Sequence, residues 1–186
     1  MHRRRWLRDA GALALAAAWP PAARAQHARE IVDDAGRKVR VPVRATRIFA
    51  AGPPASILVF AAAPDTLLGW TTPFRPAERP FVPGKYADLP VTGRLTGRGG
   101  SANREAVVAS RPDLIVDYGA VNDTFASLAD RVQKQTGIPY LLLDGAFDRI
   151  PDAVRTIGSL TGEEARAESL ARYAKDTVDD VTRRVG

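Results

Sequence analysis

The chain has 186 residues, 45% of them hydrophobic and 26% charged, which fits one folded domain of ordinary size or slightly more. It contains no cysteine, so disulfides and thiolate zinc sites are excluded, and its two histidines, His2 and His27, lie near the N-terminus, leaving the body without an imidazole base, ligand or catalytic triad. The formal net charge is +6, but removing the five arginines and one acid of the first 25 residues from 27 basic and 21 acidic ones leaves +2. That is too small a surplus for a nucleic-acid footprint, and no nucleic-acid partner is expected.

The N-terminus carries His2-Arg3-Arg4-Arg5-Trp6-Leu7-Arg8, then an apolar run over 10–19, then Ala23-Arg24-Ala25 with small residues at the two positions a signal peptidase reads. Residues 1–25 therefore read as an export signal with a mature start at Gln26, and Arg3-Arg4 resembles a twin-arginine signal. The apolar run is shorter than the roughly 20 residues of a membrane-spanning helix, and no cysteine follows it to take a lipid. The expectation is a periplasmic protein, soluble after signal cleavage.

Residues 37–43 alternate basic and apolar side chains, as a half-buried strand does, and Pro42 confines it to an edge. Residues 47–51 form a short buried strand stopped by Gly52-Pro53-Pro54, and the alanine-rich run 55–63 between prolines reads as a packed helix. Residues 66–70 look like a second short strand. Between 69 and 100 five prolines and many glycines predict mostly loop, carrying the large rings Trp70, Phe74, Phe81 and Tyr86. A short helix over 103–110, a strand over 112–117, a helix around 125–132, a strand over 139–144 and a helix around 150–160 follow. Uninterrupted apolar strands alternating with helices argue for an α/β fold: a mostly parallel sheet flanked by helices. Thr161 and Glu164 have the spacing of a capping box, and Leu170, Ala174, Val178, Val181 and Val185 trace one face of a long helix. The domain reading is a signal over 1–25, an N-terminal α/β lobe over 26–160 and a long helix over 161–185.

No nucleophile has a partner in this chain, and the strand-end acids Asp117 and Asp144 lack a nucleophile-elbow pattern. Gly97-Arg98-Gly99-Gly100-Ser101 lacks the lysine of a phosphate loop and the spacing of a dinucleotide fingerprint, and reads either as a flexible turn or as a ligand-facing loop. Ligands of parallel α/β sheets sit beyond the C-terminal strand ends. Trp70, Tyr86, Arg98 and Tyr118 are the candidate contacts there, suited to a ligand with apolar and anionic parts, and for each ring core packing is the competing reading. Tyr118 leaves a strand directly; its phenol could bind by hydrogen bond or, deprotonated, ligate iron(III), so that it is a candidate metal ligand while the metal site as a whole stays open.

The export signal, the segments 47–52 and 67–70, and above all Asn103-Arg104-Glu105-Ala106-Val107-Val108-Ala109-Ser110-Arg111-Pro112-Asp113-Leu114-Ile115-Val116 resemble the N-terminal lobe of periplasmic substrate-binding proteins for iron-siderophore, haem and cobalamin uptake. Residues 137–144 and 157–162 are similar to the following strand and to the approach to the long interlobe helix of that family. The resemblance covers 31–185 and implies two α/β lobes joined by that helix, of which the second lobe is absent here. It implies no catalysis and no intrinsic cofactor, an ABC transporter permease dimer as membrane partner, and Glu105 as the acid that docks onto permease arginines. The transported ligand it implies is an iron(III) chelate such as an iron-siderophore, with haem or cobalamin as alternatives. A bare Mn or Zn ion is disfavoured for want of histidines. Two other classes compete: a periplasmic hydrolase, which needs a converging acid pair, and a noncatalytic adaptor half-domain, which needs no cavity.

Overall fold

A computed structural model describes residues 28–97, 102 and 104–185. The export signal, the mature start at Gln26 and Arg98 lie outside the described residues. Strands β1 (Ala28–Val32) and β2 (Lys38–Pro42) form an antiparallel hairpin, with Ile31 opposite Val39. β1 has no counterpart among the sequence expectations, because its Ala-Arg-Glu-Ile-Val carries no strong pattern and becomes a strand only through its pairing with β2. β3 (Ile48–Ala50), β4 (Leu114–Gly119) and β5 (Tyr140–Asp144) form a parallel sheet in the order β3-β4-β5. The hairpin turn plugs the free edge of β5: Asp34 N donates to Leu142 O (3.1 Å), while Asp33 and Asp34 carboxylates accept from the amides of Leu142 (3.2 Å) and Asp144 (2.8 Å). A sheet edge left unpaired would invite association with another chain.

The helices are α1 (Pro53–Ala62), α2 (Gly84–Ala87), α3 (Arg104–Ala109), α4 (Asp123–Thr136), α5 (Ile150–Thr161) and α6 (Glu164–Val185). The period-2 alternation of the strands divides them between two layers. Ile48, Ala50, Leu114, Val116, Leu141 and Leu143 pack on α1, α5 and α6, while Phe49, Ile115 and Tyr140 pack on α3 and α4 through Val107 and Ala129. This is the α/β architecture that the apolar strand runs predicted.

Local chemistry sets the element ends. Asn122 caps α4 by accepting from the amides of Thr124 and Phe125, and Gly137 in the left-handed conformation ends it. Asp113 accepts from Thr46 N (2.8 Å) and Thr46 Oγ1 (3.0 Å), pinning the turn before β4 to the entry of β3. The C-terminus of α5 receives Arg29 on the Ser159 carbonyl and Arg44 on the Thr161 carbonyl, where cations suit the helix dipole.

Two local expectations are corrected. Residues 66–70 do not form a strand: Leu67 and Trp70 each make one isolated bridge, to Ile48 and Val91, after a 3-10 turn at Pro64–Thr66. Gly69 allows this path, since a Cβ there would collide with the Pro90 carbonyl. The capping box at Thr161 is also not formed. Thr161 Oγ1 donates back to Ile157 O (2.8 Å), closing α5, and Gly162 turns the chain in the left-handed conformation before α6. Gly158 lets α6 cross closely, since a Cβ there would collide with that of Ala167.

Candidate functional site

Three strands end side by side, and the backbones of β4 and β5 approach closely there. Gly145 N donates to Gly119 O at 2.8 Å, and a Cβ on Gly145 would lie 2.8 Å from Gly119 Cα, so no side chain fits between the ends of β4 and β5. From the end of β4 the half-buried ring of Tyr118 enters an open groove of about 490 Å³ between α1, α5 and α6. Its lining is Pro53, Pro54, Ile57, Leu58, Ala61, Tyr118, Ile150, Val154, Leu170, Tyr173 and Ala174, with no charged residue among them. Ile57 is 63% exposed and Tyr173 73% exposed, so a broad apolar surface faces solvent. Burial, and then the negative charge of Asp144, raise the Tyr118 phenol above its ordinary pKa. The phenol therefore keeps its proton at neutral pH, and ligation of iron(III) would have to displace a proton held more tightly than in free phenol.

Beneath Tyr118 lies a buried polar cluster. Asp117, 5% exposed, accepts from the Tyr118 amide (3.0 Å) and Thr96 Oγ1 (3.2 Å) on Oδ1 and from Tyr140 Oη (3.1 Å) on Oδ2. Burial raises its pKa, and the three donors only partly oppose that. Burial and the neighbouring Asp117 also push the Tyr140 phenol upward.

The sequence-predicted residues do not converge on one surface. Trp70 is 6% exposed, edge-to-face with Phe74 at 4.7 Å and tilted against Phe60 at 5.2 Å between ring centroids, and its Nε1 donates to the Tyr86 carbonyl (2.7 Å). Tyr86 closes the same aromatic cluster against Phe60 (5.3 Å), and its hydroxyl donates to Asp65 (2.9 Å). Glu105 is exposed in the first turn of α3, on the sheet face opposite to the groove. Arg98 falls outside the described residues. Sequence reasoning missed Ile57, Ile150, Leu170 and Tyr173. Their signal was apolar residues on helices that have no partner element for that face, which a helical periodicity alone does not separate from core. Among the described residues no group of three or more Asp, Glu, His or Cys side chains is placed to hold a metal ion, and no helix is long and apolar enough to cross a membrane.

No family model and no curated protein matches the chain. Solved structures do. An ABC transporter solute-binding protein from Sulfurospirillum deleyianum is 26% identical and aligns over 82% of this chain and 48% of its own, with a TM-score of 0.68. The chain has the fold of one half of such a protein. The molybdate periplasmic binding protein MolA of Haemophilus influenzae aligns over 77% of this chain and 49% of its own at 15% identity and a TM-score of 0.60. The heme-binding protein HmuT does so over 78% and 44% at 23% identity and a TM-score of 0.52. The chain thus spans about half the length of these solute-binding proteins.

Proposed function

We propose that this chain is the N-terminal lobe of an exported, periplasmic solute-binding component of an ABC importer, which captures an iron(III)-siderophore or a related metal chelate and delivers it to a membrane permease dimer. The observation that carries the reading is the likeness in fold to the Sulfurospirillum solute-binding protein over 82% of the chain, with an open groove at the C-terminal strand ends where parallel α/β sheets bind ligands. In this reading Tyr118 hydrogen-bonds the chelate in the groove and Arg98 meets its anionic edge. Trp70 and Tyr86 hold the wall of the adjoining loop, and Glu105 docks onto permease arginines from the other face. Haem is the second reading, favoured by the uncharged apolar lining, which suits a flat macrocycle better than a bare oxyanion.

The test is a fluorescence titration of the purified chain with three named probes: a ferric catecholate complex, haemin and molybdate. Saturable quenching by the ferric complex, weakened in Tyr118→Phe, supports the first reading, and quenching by haemin alone supports the second. Quenching by none of the three, or by molybdate alone, removes chelate capture as the function of this groove.

A further inference from the structure

Thr96, 8% exposed, has one hydroxyl proton and two acceptors at the same distance: Oγ1 lies 3.2 Å from the Ala51 carbonyl and 3.2 Å from Asp117 Oδ1. One O–H donates fully to only one of them at a time, so the side chain has two alternative bonds. The space it occupies exists because residue 52 is glycine; a Cβ on Gly52 would stand 2.6 Å from Thr96 Oγ1.

Each alternative leads to a different surface. On the Asp117 side, the same Oδ1 accepts the Tyr118 amide at the mouth of the groove. On the Ala51 side, the carbonyl also accepts from Leu95 N (2.7 Å) and Thr96 N (3.0 Å), and the preceding Arg94 O accepts from Ala102 N (3.1 Å). Leu95 and Ala102 pack with Val107 of α3 against Phe49 and Ile115, two positions along the helix from Glu105. A continuous run of bonds and packed side chains therefore joins the groove on one face of the sheet to α3 on the other.

We infer that Thr96 is a positioning residue that couples the groove end of β4 to the α3 face carrying Glu105, by exchanging its hydroxyl between Ala51 and Asp117. Coupling between distant surfaces needs an element with two discrete arrangements that both surfaces bias, and one proton between two equidistant acceptors is such an element. Its functional meaning rests on the reading of the groove as ligand site and of Glu105 as docking contact: a ligand that repositions Tyr118 changes the bond Thr96 makes and thereby the surface presented to the permease.

The experiment is amide hydrogen exchange and NMR on the full chain without ligand. Asp117→Asn is expected to shift the Leu95, Ala102 and Glu105 amide signals and to change their protection several-fold. In a Thr96→Val background that effect is expected to stop short of Ala102 and Glu105, and Thr96→Ser is expected to restore it. Tyr140→Phe, which deletes the donor to Asp117 Oδ2 and keeps the ring, delivers the same perturbation if Asp117→Asn unfolds the chain. An equal effect at Ala102 and Glu105 with and without the Thr96 hydroxyl overturns the inference, as does an effect that never reaches them. Because the readout uses no ligand, its failure is distinct from failure of the capture reading, which shows instead as absent quenching in the titrations.

Discussion

Two aromatic regions of the molecule have opposite character. The cluster of Phe60, Trp70, Phe74 and Tyr86 is closed on itself, with ring centroids 4.7 to 5.3 Å apart and the indole N–H bonded to a carbonyl of the same loop. The groove of Tyr118, Ile57 and Tyr173 is open, and neither of its rings packs on another ring among the described residues. A ring whose neighbours come from its own loop and the adjacent helix is held as core, whereas a ring projected from a strand end into a gap between helices is free to meet a ligand. A proline-rich loop of this length needs such an internal anchor to keep a fixed path.

The largest effect expected of this contrast is on stability. Trp70→Ala should cost about 3 to 5 kcal/mol in denaturant unfolding, because it empties the centre of the closed cluster. Ile57→Ser, on the open groove, should stay within about 0.5 kcal/mol. Equal losses at the two positions would mean that the groove is sealed in solution. The second effect is on binding. Tyr118→Phe should weaken ferric catecholate binding by roughly 1.5 to 3 kcal/mol, the worth of a hydrogen bond to a charged partner, with the unfolding midpoint unchanged. Unchanged affinity would leave the phenol without a role in the groove.

A third prediction concerns the cluster beneath the groove. The carboxyl of Asp117 is raised in the folded state, so the fold holds its proton where the unfolded chain has lost it. Stability at this site should accordingly fall as pH rises from the ordinary carboxylate range through the raised value. Unfolding free energies across that window should show a slope that Asp117→Asn flattens; an unaltered slope would assign the pH dependence to other groups. The smallest effect on the molecule itself is expected of Glu105→Ala. Exposed on α3, it should change stability by no more than about 0.5 kcal/mol and leave chelate binding intact, while uptake by cells expressing a two-lobed protein with this lobe falls through loss of an interfacial charge. Normal uptake with this variant would sink the docking role.

Much of the scaffold was legible because it rests on local repetition. The unbroken apolar runs ending in Ala50, Val116 and Leu143 identified parallel strands, and the spacing of Ile150, Val154, Ile157 and Leu160 identified α5. The two misread segments failed for a shared reason. Thr161 has the right residue three places before Glu164 for a cap, yet Gly162 reverses the backbone between them, and the hydroxyl turns to α5 instead. Leu67 to Trp70 has the composition of a strand, yet Gly69 is committed to the Pro90 backbone, which belongs to a different part of the chain. In the candidate site, Tyr118 was legible from its place after an apolar strand. Ile57 and Tyr173 were not, since an apolar residue on a helix carries no local mark of whether another element covers it.

The sequence by itself determined the order and type of the main elements, the two apolar faces of the sheet and the absence of imidazole or thiol chemistry from the body. These depend on periodicity and residue identity, which are properties of neighbouring positions. Only the tertiary structure decided that Trp70 is enclosed and the Tyr118 groove open, that the Asp33 and Asp34 turn seals the edge of β5, and that Thr96 fits above Gly52 within reach of both Ala51 and Asp117. Those features join residues far apart in the chain, and whether a side chain is covered or a polar group satisfied is set by which distant atoms fill the space around it.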